Sequence, residues 1–134
     1  MNRAFLCSAI EGLASQYGYH FSLDDKSCYP TTISHYPAAF MTQPKFESIE
    51  GRHHGRITYS VTLRLAQQGA KLTPAERNNA LDKMEKELME IFIALSKTDN
   101  VAVVEKLSIA SYSEPIDNHG AIAIEAQAKV TTIF

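Results

Sequence analysis

Two adjacent histidines, His53 and His54, are the first place in this chain where metal or acid–base chemistry could reside. Adjacent residues in extended backbone point to opposite sides, and no His or Cys stands at finger-like or i,i+4 helical spacing from them. His20, His35 and His119 are dispersed along separate segments. Cys28 could act as a nucleophile with His35, and Ser27 or Ser34 with any histidine. None sits in a strained G-x-S-x-G turn, and no glycine cluster suggests an oxyanion hole. Asp24 and Asp25 are paired carboxylates, but beside Lys26 and Ser27 they read as turn chemistry rather than an acid–base pair. The dispersed glycines form neither a P-loop nor a dinucleotide fingerprint. The residues therefore predict no catalytic site, no cofactor-binding site and no metal site, and so a protein that is not an enzyme.

Charge bounds the partners next. The formal net charge is −2 and the isoelectric point is near 6.2, which gives no general attraction to nucleic acid or anionic membrane. Arg52, His53, His54 and Arg56 form the one basic cluster, without interleaved aromatics for base stacking, so nucleic acid is not the expected partner. With 134 residues, 45% hydrophobic and 21% charged, the chain is expected to be a single α+β domain over 1–134. Two cysteines, Cys7 and Cys28, fit free thiols in a reducing compartment better than a disulfide scaffold. Glu11 interrupts the N-terminal apolar run too early for a signal peptide, and no run is long enough to span a bilayer.

The elements that must position these residues are legible from periodicity. Phe5, Leu6, Ala9, Ile10, Leu13 and Ala14 predict a helix over 3–17 with Gly18 as its stop. Tyr19–Leu23 reads as a short strand. Pro30, Pro37 and Pro44 interrupt whatever strands follow, with Ile33–Tyr36 and Ala38–Met41 as candidates. Phe46 and Ile49 begin an extended piece that turns at Gly51-Arg52-His53-His54-Gly55 into a strand over 56–66. In that strand Ile57, Tyr59, Val61, Leu63 and Leu65 alternate with polar residues. Thr73-Pro74-Ala75-Glu76 is a capping box that opens a long helix with Leu81, Met84, Leu88, Ile91, Phe92 and Leu95 on one side. Met89 is expected in the core with Met84 and Leu88. Glu87 is expected on the solvated face, where Asp82 and Lys86 form an i,i+4 pair.

Val101–Tyr112 is rich in β-branched and apolar residues, and its alternation breaks near Glu105-Lys106, which predicts a bulge or a change of face. A turn over Glu114–Gly120 leads to the regular strand Ile122–Val130. The apolar pair Ile133-Phe134 is expected to be docked, partly under cover from another subunit. Strands in hairpins between helices give α+β with a mainly antiparallel sheet, an N-terminal helix, and the long amphipathic helix on one face.

This order resembles the tail-terminator and minor tail proteins of long-tailed bacteriophages and prophages. The segments that carry the resemblance are the first helix, the Pro-interrupted Tyr36-Pro37-Ala38-Ala39-Phe40, the hairpin Glu50–Arg56, the strand Ile57–Ala66, the helix Pro74–Ser96 and two closing strands. The resemblance implies a non-enzymatic structural and assembly protein, without cofactor, acting through subunit–subunit contacts in a homo-oligomeric ring. The ring is hexameric in the family pattern. It further implies other tail or head–tail connector proteins as partners, and residence in the bacterial cytoplasm and then in the virion tail. The hairpin tip, strand edges and Pro-rich loop are the expected contact elements. Two other classes stay open: a small enzyme or ligand-binding domain with a pocket between sheet and helix, and a monomeric adaptor that binds a protein through an edge strand.

Overall fold

The computed structural model describes residues 2–24, 35–112 and 120–134. Its elements run α1 (Asn2–Gln16), β1 (His20–Asp24), β2 (Ala38–Thr42), β3 (Lys45–Gly51), β4 (Gly55–Gln67), α2 (Pro74–Ser96), β5 (Val101–Ser111) and β6 (Ile122–Ile133). The fold is α+β: among the described residues six strands form one sheet in the order β1-β2-β4-β6-β5, with β3 also paired to β4. All pairings are antiparallel except β1 with β2. The strand expected over 33–36 and the turn over 114–120 fall mainly outside the described residues, as do Ser27, Cys28, Ser34 and His119.

β4 and β6 form the sheet's spine, twelve residues in continuous register from Arg56↔Ile133 to Gln67↔Ile122. Their alternation separates two faces. Tyr59, Val61, Leu63 and Leu65 stand opposite Val130, Ala128, Ala126 and Ile124 on the inner face, all buried under the helices. The outer face carries Thr58, Ser60, Thr62 and Arg64 opposite Thr131, Lys129, Gln127 and Glu125. Arg64 and Glu125 pair there at 2.6 Å. Next to them a small second cluster gathers Ala38, Ala66, Ala121 and Ala123 with Tyr36 and Phe40.

α1 buries Leu6, Ile10 and Ala14 and stops at Gly18 (φ +83), where Tyr19 N–H donates to the Ala14 carbonyl at 3.3 Å and Gly18 N–H to that of Ser15 at 3.0 Å. This is the left-handed helix stop that glycine adopts without steric cost. α2 packs Met84, Leu88, Ile91, Phe92 and Leu95 into the core. Met89 departs from expectation: it is 47% exposed, because it lies off the stripe formed by its neighbours Leu88 and Phe92. Glu87 departs in the other direction. It is buried beside α1, where only a residue three or four positions from Met84 and Ile91 can point. On the solvated face the observed ion pair is Lys86–Glu90 at 4.0 Å rather than Asp82–Lys86.

The capping box forms in full: Glu76 N–H donates to Thr73 Oγ1 and Thr73 N–H to Glu76 Oε1, each at 3.2 Å. Thr73→Ala leaves a first-turn N–H without its acceptor and is expected to cost about 0.5–2 kcal/mol in a denaturation titration. An unchanged midpoint would contradict this role. The bulge expected at Glu105-Lys106 is also present, as a register shift between Glu105 and Ser108 with Lys106 at φ +56. No helix among the described residues is long and apolar enough to cross a membrane.

Candidate functional site: an uncovered hairpin face

The titratable residues singled out by sequence separate into distinct places. His53 and His54 lie exposed in the three-residue loop between Gly51 and Gly55. His20 and His35, remote in sequence, come together with ring centroids 5.3 Å apart, which corrects their reading as dispersed. The parallel pairing of β1 with β2 brings them together, and the backbone N–H of His20 donates to the Pro37 carbonyl at 2.9 Å. Among the described residues, no three of His, Cys, Asp and Glu group so as to hold a metal ion. Cys7 is half-buried on α1, and burial pushes its thiol pKa up, which disfavours the thiolate.

Sequence spacing does not reveal an acidic junction between α1, β1 and α2, buried at Tyr19 and Glu87 and exposed at the hydrogen bond between Tyr17 and Glu90. Tyr19 is pushed up to about 12 by burial and by the nearby charge of Glu87, and its hydroxyl accepts from Gln67 Nε2 at 3.5 Å. The Tyr17 hydroxyl donates to Glu90 Oε2 at 2.7 Å. Glu87 Oε1 is buried without a hydrogen-bond partner among the described residues, and burial raises its carboxyl pKa, with Lys83 opposing and Glu90 reinforcing the shift. The folded chain therefore retains this proton to higher pH than the unfolded one. The stability linked to it is present below the ordinary 4.5 and is lost as pH rises through the folded value. Glu87→Gln is expected to flatten that decline, and Glu87→Met to raise neutral-pH stability by about 1–3 kcal/mol. Identical pH–stability profiles for Glu87→Gln and the parent would show that the carboxyl titrates normally.

The arrangement most suited to function is the β3–β4 hairpin. Pro44 cannot donate a ladder hydrogen bond, so the strand opposite β4 breaks at Gln43-Pro44 into β2, against residues 63–66, and β3, against 55–60. Every residue of β3 is exposed. Sequence spacing alone would put Phe46 and Ile49 on opposite faces, three positions apart. A bulge between Phe46 and Ser48 changes this, so that Phe46 stands opposite Tyr59 and Ile49 opposite Ile57, both on the inner face. Phe46 packs edge-on against Tyr59 with centroids 6.0 Å apart.

Elsewhere the inner face is covered by α1 and α2; at the hairpin no helix among the described residues covers it. α1 begins at the hairpin's base, where Arg3 donates to the Pro44 carbonyl and lies 5.4 Å over the Tyr59 ring, and Asn2 donates to Thr132 Oγ1 at 2.8 Å. Beyond that anchor Phe46 remains 48% and Ile49 56% exposed. Side chains of this size left half in water forgo much of the roughly 1.5–3 kcal/mol that full burial of each would contribute.

The hairpin's other face is polar. Ser60 donates to Glu47 at 2.7 Å, which holds that carboxyl below its usual range, and Thr58 and Thr131 share a hydrogen bond of 2.9 Å. A shallow concavity of about 510 Å³ opens there among Glu47, Glu50, Arg56, Glu105, Lys106 and Lys129. The tip is fixed by Gly51 (φ +103) and by Gly55, which exchanges backbone hydrogen bonds with Phe134 at 3.1 and 3.0 Å. The final residues are thus docked as expected through their backbone, while Ile133 stays 44% exposed.

In comparisons with known proteins, no family model matches the chain and no curated protein matches its sequence.

Proposed function

We propose that this chain is a non-enzymatic structural protein that acts by self-assembly, a tail-terminator-like component of a long-tailed phage or prophage. The observation that carries the reading is the hairpin: an exposed seven-residue strand presenting Phe46 and Ile49 on a face that its own helices leave bare. Phe46 and Ile49 stand opposite neighbouring inner-face positions of β4, so they form one apolar patch of the kind that marks interaction sites when it extends beyond single scattered side chains. The phage assignment rests further on the order of elements, with the hairpin placed between a Pro-interrupted strand and the long helix.

A ring requires two unlike patches on each subunit, one meeting the other on its neighbour until the circle closes. Other tail or head–tail connector proteins would then meet the finished ring, in the host cytoplasm and later in the virion tail. Size exclusion coupled to light scattering, followed by negative-stain imaging at high protein concentration, tests this reading. Closed rings whose mass is an integral multiple of 14.9 kDa are expected. A single 14.9 kDa species at every concentration would overturn it.

A further inference from the structure

We infer that the uncovered hairpin face docks on the outer stripe of α2 in a second copy of this chain. The inference rests on the assembly reading above and specifies its contact. What the hairpin's inner face lacks is a helix, since α1 and α2 cover the rest of that face. Of the two helices, α2 carries the exposed large apolar pair: Met89 and Ile93, 47% and 49% exposed and one turn apart.

Spacing matches. Phe46 and Ile49 stand opposite Tyr59 and Ile57, two positions apart on β4, a separation of about 7 Å. Met89 and Ile93 are separated by four helical residues, about 6 Å. Charge matches in the same line. Beyond Ile49 lies Arg52 at the exposed basic tip, and beyond Met89, one turn back, lies Glu85, with Asp82 after it. Neither Arg52, Glu85 nor Asp82 forms an ion pair with a described residue, whereas the adjacent Lys86 has Glu90 at 4.0 Å. Phe46 therefore sits against the partner's Ile93, Ile49 against the partner's Met89, and Arg52 near the partner's Glu85. Because hairpin and helix are different patches, the contact is head-to-tail, and the ring of the assembly reading requires that its rotation close rather than run on as a filament.

Sedimentation velocity on Ile49→Asp, on Met89→Asp and on their equimolar mixture tests the pairing. Both positions are exposed, so circular dichroism should show both variants folded. Each alone should sediment as a single chain, with association weakened at least about 30-fold, because a charge replaces a central apolar contact. The mixture retains one intact hairpin and one intact helix stripe, so it should give a species of twice the chain's mass and nothing larger. Arg52→Glu should weaken association about ten-fold, and Arg52→Glu with Glu85→Arg should restore it. If the parent assembles but Met89→Asp assembles equally well, the pairing is wrong and the assembly reading stands. If the parent never exceeds one chain, both fall.

Discussion

Phe92→Ala should cost about 3–5 kcal/mol of folding stability, and Leu88→Ala about 2–5 kcal/mol. Both side chains are almost wholly buried between α2 and the sheet's inner face, among Leu63, Leu65 and Ile124, which are buried too. Truncation removes transfer free energy and leaves a cavity, since long strands on one side and a capped helix on the other limit collapse. Urea titration with a two-state fit measures this directly. Unchanged midpoints for both variants would mean that α2 does not seal the core.

Gly55→Ala should open the hairpin tip and so remove assembly, an effect out of proportion to one methyl group. A Cβ at Gly55 would lie 1.9 Å from the Glu50 carbonyl oxygen and 3.0 Å from the Gly51 Cα, both backbone atoms that cannot swing aside. The two hydrogen bonds between Gly55 and Phe134 would be displaced with it. The expected stability loss is about 2–4 kcal/mol, as for other substitutions that force backbone to move. Amide exchange should accelerate over residues 50–57 while residues in α2 and the β4–β6 centre keep their protection. Gly12→Ala, where an added Cβ meets nothing within 4 Å, serves as the control and should leave assembly intact. A Gly55→Ala variant that assembles like the parent would remove the hairpin from the interface.

Much of the fold was legible because local signals agree with the tertiary arrangement. The period-2 alternation of Ile57–Leu65 marks the inner face of β4, Thr73-Pro74-Ala75-Glu76 marks the start of α2, and the broken alternation at Glu105-Lys106 marks the bulge in β5. Pairing across long separations was not legible. No local pattern shows that β1 lies parallel to β2, or that β2 and β3 share one edge of β4. The hairpin was visible from its glycines, but the character of its inner face was not. That face depends on a bulge between Phe46 and Ser48 which moves Phe46 and Ile49 to the same side, and no residue type there signals it. Glu87 and Met89 exchanged their expected environments because one face of a helix is set by what packs beside it. With α1 against one flank of α2, a charged side chain was enclosed and an apolar one left in water.

The central claim is that this chain works by meeting copies of itself through unlike patches. Its most direct measurement is the mass of the parent protein by sedimentation velocity from dilute solution to the highest soluble concentration. A concentration-dependent shift is expected from the 14.9 kDa chain to one closed species of fixed stoichiometry, dispersed by Ile49→Asp. A chain that sediments at 14.9 kDa throughout, or one whose assembly ignores the charge at position 49, would contradict it.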